Sequence, residues 1–148
     1  MRFVLDASVA LRWVLEGEEH PNADSVLKGI LKAPKFFATP ELFGFEVFSV
    51  LARLHPEPYE AFTTAIAPVL QCGILRYPLT EAVVRRSFRF TRQGLTGYDA
   101  VYAALAEELG GCWITFDAKA VKKLGDGKLA VDLFTGLPEG WNDVFCFS

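Results

Sequence analysis

Short apolar runs recur along the chain, and a stretch of helical character separates each from the next. The runs are 2–5, Phe36-Phe37-Ala38, 74–77, 112–115 and Leu129-Ala130-Val131. Between them the 3.6-residue spacing of apolar side chains predicts helices over 7–16, 21–32, 40–54, 57–70, 80–93 and 98–109, with a short one after Asp117. Strands alternating with helices predict an α/β fold, a central parallel sheet flanked by helices in three layers. Several boundaries carry their own signals: Pro21 suits a first helical turn, Thr80 a cap, and Thr39-Pro40-Glu41 reads as a cap, a proline at the first helical position and an acid in the first turn. With 148 residues the chain holds one domain with a sizeable core and is short for two.

The first run ends in an acid. Asp6 follows Val4 and Leu5 and stands directly before the apolar stretch Ala7 to Leu11, so a strand delivers a carboxylate where open α/β sheets build their sites. The same position serves equally well as a helix N-cap. Asp117 repeats the arrangement after Ile114-Thr115-Phe116, with the same two readings. Glu46 is the only charge in 42–51, a helix apolar enough to be expected largely buried, where a carboxylate needs a cation or a partner such as Arg53. Asp99 is the only charge in 97–106 and lies in a first helical turn, where the helix dipole also favours an anion.

Four acids in such places are harder to explain separately than together. Strand C-termini of a parallel sheet share one edge, and carboxylates gathered there repel one another unless a metal neutralises them. An all-oxygen set suits Mg²⁺ or Mn²⁺ better than zinc. The absences narrow the chemistry further. There is no GxSxG, Walker A or GxGxxG motif, and His20 and His55 sit in polar turns away from any nucleophile motif. Carboxylates with a metal and no protein nucleophile fit phosphodiester hydrolysis by metal-activated water. The net charge of −3 argues against a protein that coats nucleic acid, though not against one that grips it locally.

In order and spacing, Val4-Leu5-Asp6-Ala7-Ser8, Pro40-Glu41-Leu42 with Glu46-Val47, Leu95-Thr96-Gly97-Tyr98-Asp99-Ala100 and Ile114-Thr115-Phe116-Asp117 resemble the four acidic motifs of PIN domains. The type they resemble is the VapC toxin of toxin–antitoxin pairs. The resemblance implies an Mg²⁺- or Mn²⁺-dependent endoribonuclease and a PIN-like domain over 1–135. It makes Asp6, Glu46, Asp99 and Asp117 the catalytic and metal-binding quartet, with Ser8 and Thr115 as supporting hydroxyls. It also implies an RNA substrate, a small VapB-like antitoxin laid along the active-site groove, and a homodimer or a heterotetramer or octamer with that antitoxin.

Arg85, Arg89 and Arg92 fall at i, i+4 and i+7 and form a candidate RNA or antitoxin contact, or a plain solvated face. Two other readings stay open. One is a phosphatase using an aspartyl nucleophile, although Ser8 stands where that type needs a second aspartate; the other is a non-catalytic PIN-like binding module. Cys72, Cys112 and Cys146, odd in number and widely spaced, read as reduced thiols. With no long apolar span and no signal-peptide core, the expectation is a cytoplasmic protein with no membrane segment. The tail 136–148, with Trp141, Phe145 and Phe147, is unassigned and expected to pack on the domain or on a second subunit.

Overall fold

Every predicted apolar run forms a strand, and the strands join one parallel sheet. The computed structural model describes residues 2–125 and 127–145. Met1, Asp126 and Cys146 to Ser148 lie outside these; Gly125-Asp126-Gly127 reads from the sequence as a turn, and its middle residue falls there, as do one cysteine and Phe147 of the tail. The strands are β1 (Phe3–Leu5), β2 (Phe37–Pro40), β3 (Leu75–Tyr77), β4 (Cys112–Thr115) and β5 (Ala130–Asp132), in the spatial order β3-β2-β1-β4-β5. All the pairings are parallel. The chain therefore builds outward from β1 through β2 to β3, then returns to the other side of β1 with β4. The order reverses between β1 and β4, which makes their C-terminal ends the topological switch point.

The two sheet faces are set by register. Phe3 pairs with Phe37, and both rings meet Trp141. Val4 pairs with Trp113, and Trp113 stacks on Tyr102 of the opposite layer. Helix α7 (Gly97–Glu108) covers this second face, lying across β1, β2 and β4, and α6 (Glu81–Arg92) packs along it. On the Phe3 face stands α2 (Pro21–Lys32), whose Gly29 admits Trp141 and Phe37 so closely that a Cβ there would sit 3.0 Å from the indole. The tail thus packs on the domain: Trp141, in the short helix 141–144, and Phe145 are both buried against Phe3 and Phe37.

Helix α1 (Ala7–Leu11) is shorter than expected, because Arg12, Trp13 and Val14 bond three residues back and tighten its end into turns. Pro40 does not open the third helix. It closes β2, where a missing N–H is tolerated, and the Thr39 hydroxyl donates to the Leu5 carbonyl instead of capping. Helix α3 therefore begins later (Leu42–Leu54), at Glu41, with no side-chain cap. It is also less buried than its composition suggests. Phe43, Val47 and Leu51 enter the core, whereas Phe45, Phe48 and Leu54 are exposed.

The segment expected as one helix over 57–70 is α4 (Pro58–Ala61) and α5 (Ala67–Gln71), joined by a π-helical stretch at Phe62–Ile66. Pro68 explains the break. It has no N–H for the Thr64 carbonyl, and just before it the Ala67 amide bonds five residues back to Phe62; the Thr63 and Thr64 hydroxyls both donate to the Glu60 carbonyl. The short helix α8 (Ala118–Leu124) follows Asp117. No helix among the described residues is long and apolar enough to cross a membrane.

Candidate active site

Asp6 and Asp117 leave the C-terminal ends of β1 and β4, one on each side of the switch point. Both cap the helix that follows. Asp6 Oδ2 accepts from the Ser8 amide at 3.0 Å, and Asp117 Oδ1 from the Ala120 amide at 3.0 Å. A hydroxyl chain ties the two strand ends together. The Thr115 hydroxyl donates to Asp6 Oδ2 at 3.2 Å and accepts from the Asp117 amide at 3.0 Å. Its single proton being used on Asp6, it accepts from Ser8 Oγ at 3.3 Å, and Ser8 Oγ accepts in turn from the Phe116 amide at 3.0 Å.

Asp6 is only 8% exposed and meets one further donor, Trp113 Nε1, at 3.1 Å from Oδ1. Burial raises its pKa; the hydrogen bonds from Ser8, Trp113 and Thr115 work against that rise without cancelling it. Three bonds occupy three of roughly four acceptor positions that a carboxylate offers.

Asp99 lies in the first turn of α7, whose cap is Thr96: its hydroxyl accepts from the Asp99 amide at 3.1 Å. Its pKa is raised to about 6, first by burial and then by the charges of Asp6 and Asp117, with Thr96 and Lys123 pulling the other way. Glu46 approaches from α3. Its pKa is raised by burial first, and by Asp6 and Asp99, while Tyr102 lowers it. The four acids thus form one electrostatic group: Asp6 acts on Glu46 and on Asp99, and Asp117 acts on Asp99.

No salt bridge joins Glu46 to Arg53 among the described residues. Instead, Oε1 of Glu46 is buried with no hydrogen-bond partner there, as is the Tyr102 hydroxyl. These two groups face one another closely enough for each to shift the other's pKa, without reaching hydrogen-bond geometry. Beside them a surface groove runs past Glu46, lined by Leu42, Phe45, Ser49, Val50 and Tyr98.

Among the described residues no three His, Cys, Asp or Glu side chains are arranged as a ready metal cluster. The donor chemistry nevertheless fits a hard divalent cation. The groups are carboxylates, they raise one another's pKa, and one of their oxygens is a buried acceptor without a donor. Asp6, Glu46, Asp99 and Asp117 are the residues that would hold it.

The arginine face stands apart from this group and is partly engaged by the chain itself. Arg85 pairs with Glu81, Arg89 with Glu107, and the intervening Arg86 with Glu107 and Glu108; Arg92 makes no ion pair among the described residues. Trp113, Tyr102 and Lys123 are neighbours of the acids that the motif spacing did not single out. Trp113 had a signal available: its N–H, buried in a strand two residues before Thr115, needs an acceptor on the Asp6 face of the sheet.

Comparison with known proteins agrees with this fold. The family model described as PIN domain matches residues 3–126. No curated protein matches the sequence. Among solved structures the chain is similar to PAE2754 from Pyrobaculum aerophilum, with a TM-score of 0.68 and 22% identity over 99% of this chain and 97% of that one. It is similar to FitAcB from Neisseria gonorrhoeae, with a TM-score of 0.63 and 17% identity over 82% and 91%. A toxin–antitoxin complex from Klebsiella pneumoniae also matches, with a TM-score of 0.63 and 15% identity over 86% and 94%.

Proposed function

The chain belongs to the PIN domain family, and from that premise we propose that it is an Mg²⁺- or Mn²⁺-dependent endoribonuclease, the toxin of a VapBC-type pair. The observation that carries the reading is the gathering of Asp6, Glu46, Asp99 and Asp117 at the switch point as one mutually destabilising group of acids. Buried like charges lower stability, and a chain that retains them uses them for something other than folding.

When bound, a divalent cation supplies positive charge that lowers the pKa of water and offsets charge on a phosphoryl oxygen. The protein's own part is to hold the acids. The Ser8–Thr115 chain and Trp113 Nε1 fix the orientation of the Asp6 carboxylate; capping fixes Asp117; the Thr96 cap fixes the first turn that carries Asp99. Glu46, with its unpartnered oxygen, would serve as a further ligand or orient a water.

Likeness to a chain of a toxin–antitoxin complex supports a protein partner of that kind. The exposed Phe45 and Phe48, lining a groove with Phe62 and Leu70, offer such a partner an apolar face. Arg85, Arg89 and Arg92 remain our candidates for contacts to RNA phosphates or to an acidic antitoxin segment.

The test is Asp6→Asn with single-stranded RNA in Mg²⁺ or Mn²⁺. Cleavage should fall by about a hundredfold or more, with an unchanged circular dichroism spectrum. A variant that cleaves at the wild-type rate in the same metal would sink the mechanism.

A further inference from the structure

Two aromatic side chains reach the acids from within the core, and one of them carries a hydroxyl that the fold does not use. Tyr102 lies one helical turn after Asp99 on α7 and is 0% exposed. Its ring stacks on Trp113, with centroids 5.8 Å apart and planes 13° from parallel. Trp113 spends its N–H on Asp6 Oδ1. Tyr102 faces Glu46 and the Ala7 backbone, yet its hydroxyl makes no hydrogen bond among the described residues, and neither does Glu46 Oε1. Phenylalanine would fill the same place against Trp113 without burying an unpartnered O–H, so packing accounts for the ring and not for the oxygen.

We infer that Tyr102 is a positioning residue for Glu46: its hydroxyl, which makes no hydrogen bond among the described residues, would donate to one oxygen of that carboxylate once a divalent cation takes up the other. The inference rests on the nuclease reading. A phenol O–H both donates and accepts, and facing a carboxylate it can only donate. A donor in that place suits a carboxylate, which needs its proton-free form held in one orientation. The stack with Trp113 couples the two supports. The same pair of rings holds Asp6 through an indole N–H and turns a phenol O–H toward Glu46, so both acids would be braced against a single rigid unit.

Tyr102→Phe tests this, because it removes one oxygen and nothing else. Three measurements are needed on wild type and variant: melting temperature in chelator, Mn²⁺ binding by calorimetry, and kcat and KM for single-stranded RNA. A positioning hydroxyl predicts a variant that melts in chelator at the wild-type temperature or slightly above it. It also predicts Mn²⁺ binding weakened about tenfold, and a lower kcat with KM nearly unchanged. A variant that binds Mn²⁺ and turns over like a metal-responsive wild type overturns the inference and leaves the nuclease reading standing. So does a variant that melts well below wild type in chelator, since the hydroxyl would then serve the fold. A wild type that neither binds Mn²⁺ nor cleaves RNA overturns the nuclease reading, and the inference with it.

Discussion

Asp99→Asn should stabilise the protein in the absence of metal, and the size of the effect can be worked from the site. Burial and the charges of Asp6 and Asp117 move the Asp99 pKa from 3.8 to about 6. Each pKa unit corresponds to about 1.4 kcal/mol, so the full penalty on the ionised form would be about 3 kcal/mol. Asp99 is only half-buried, and solvent screening reduces this to about 1–2 kcal/mol. Against it stands the anion's favourable place in the first turn of α7, worth about 0.3–1 kcal/mol. The penalty wins by about 1 kcal/mol, or roughly 2–4 °C in melting temperature for a domain of this size.

The sign fixes the pH window. The folded protein holds the Asp99 proton more tightly than the unfolded chain. The penalty is therefore absent below about pH 4, grows between pH 4 and 6, and is complete above 6. Differential scanning calorimetry in chelator should show Asp99→Asn more stable than wild type at pH 7.5 and indistinguishable from it near pH 3.5. An amide variant that is no more stable at pH 7.5, or whose advantage persists unchanged at pH 3.5, would refute the reasoning.

Two predictions concern the frame that holds the site. In Gly111→Ala the new Cβ would lie 2.0 Å from the Arg2 carbonyl oxygen, backbone against backbone at the entry to β1 and β4. Urea denaturation should show a loss of about 3 kcal/mol or more, and a change below half a kcal/mol would mean the strands can separate freely there. Trp141→Ala should cost about 3–5 kcal/mol, since the indole is 3% exposed between Phe3, Phe37 and Gly29; near-wild-type stability would show that the tail is not part of the core.

Much of the architecture was readable because the chain keeps its local and long-range signals in agreement. The run Cys112 to Thr115, between Gly111 and Phe116, is a strand in the structure with those bounds, and Thr80 caps α6 through the Val83 amide. The misreadings fall where one residue serves two masters. Thr39-Pro40-Glu41 has the composition of a helix start, but β2 is buried between β1 and β3 and claims Pro40 through its Tyr77 pairing. Tertiary pairing outweighs a cap worth about 1 kcal/mol. The expected helix over 57–70 takes no account of Pro68, and whether a proline ends, kinks or widens a helix depends on what packs around it.

Helix α3 is the instructive case, because its composition suggested burial on all sides. Phe45 and Phe48 stand exposed, yet Glu46 beside them is partly buried, and that burial is the first cause of its raised pKa. Asp6 and Asp99 raise it further and Tyr102 lowers it, none of them close to it in sequence. A one-dimensional pattern marks an acid as out of place; it does not carry the partner that makes the place what it is.

Capping and site-building looked like rival explanations of Asp6 and Asp117, and the geometry shows why they need not compete. A cap requires a residue of non-helical backbone before a helix, with its side chain turned back over the first turn. At the end of a buried parallel strand that residue stands at the carboxyl edge of the sheet, beside its counterpart on the next strand. Asp6 and Asp117 meet both conditions, and Thr115 bonds to one of them by its hydroxyl proton and to the other by its lone pair. A cap uses only part of a carboxylate's capacity: one oxygen of Asp117 is engaged by the Ala120 amide. Capping thus contributes the rigidity that a catalytic carboxylate needs, and at a strand end it directs that carboxylate to the switch point. Helix termination and site construction are one local arrangement seen from two sides.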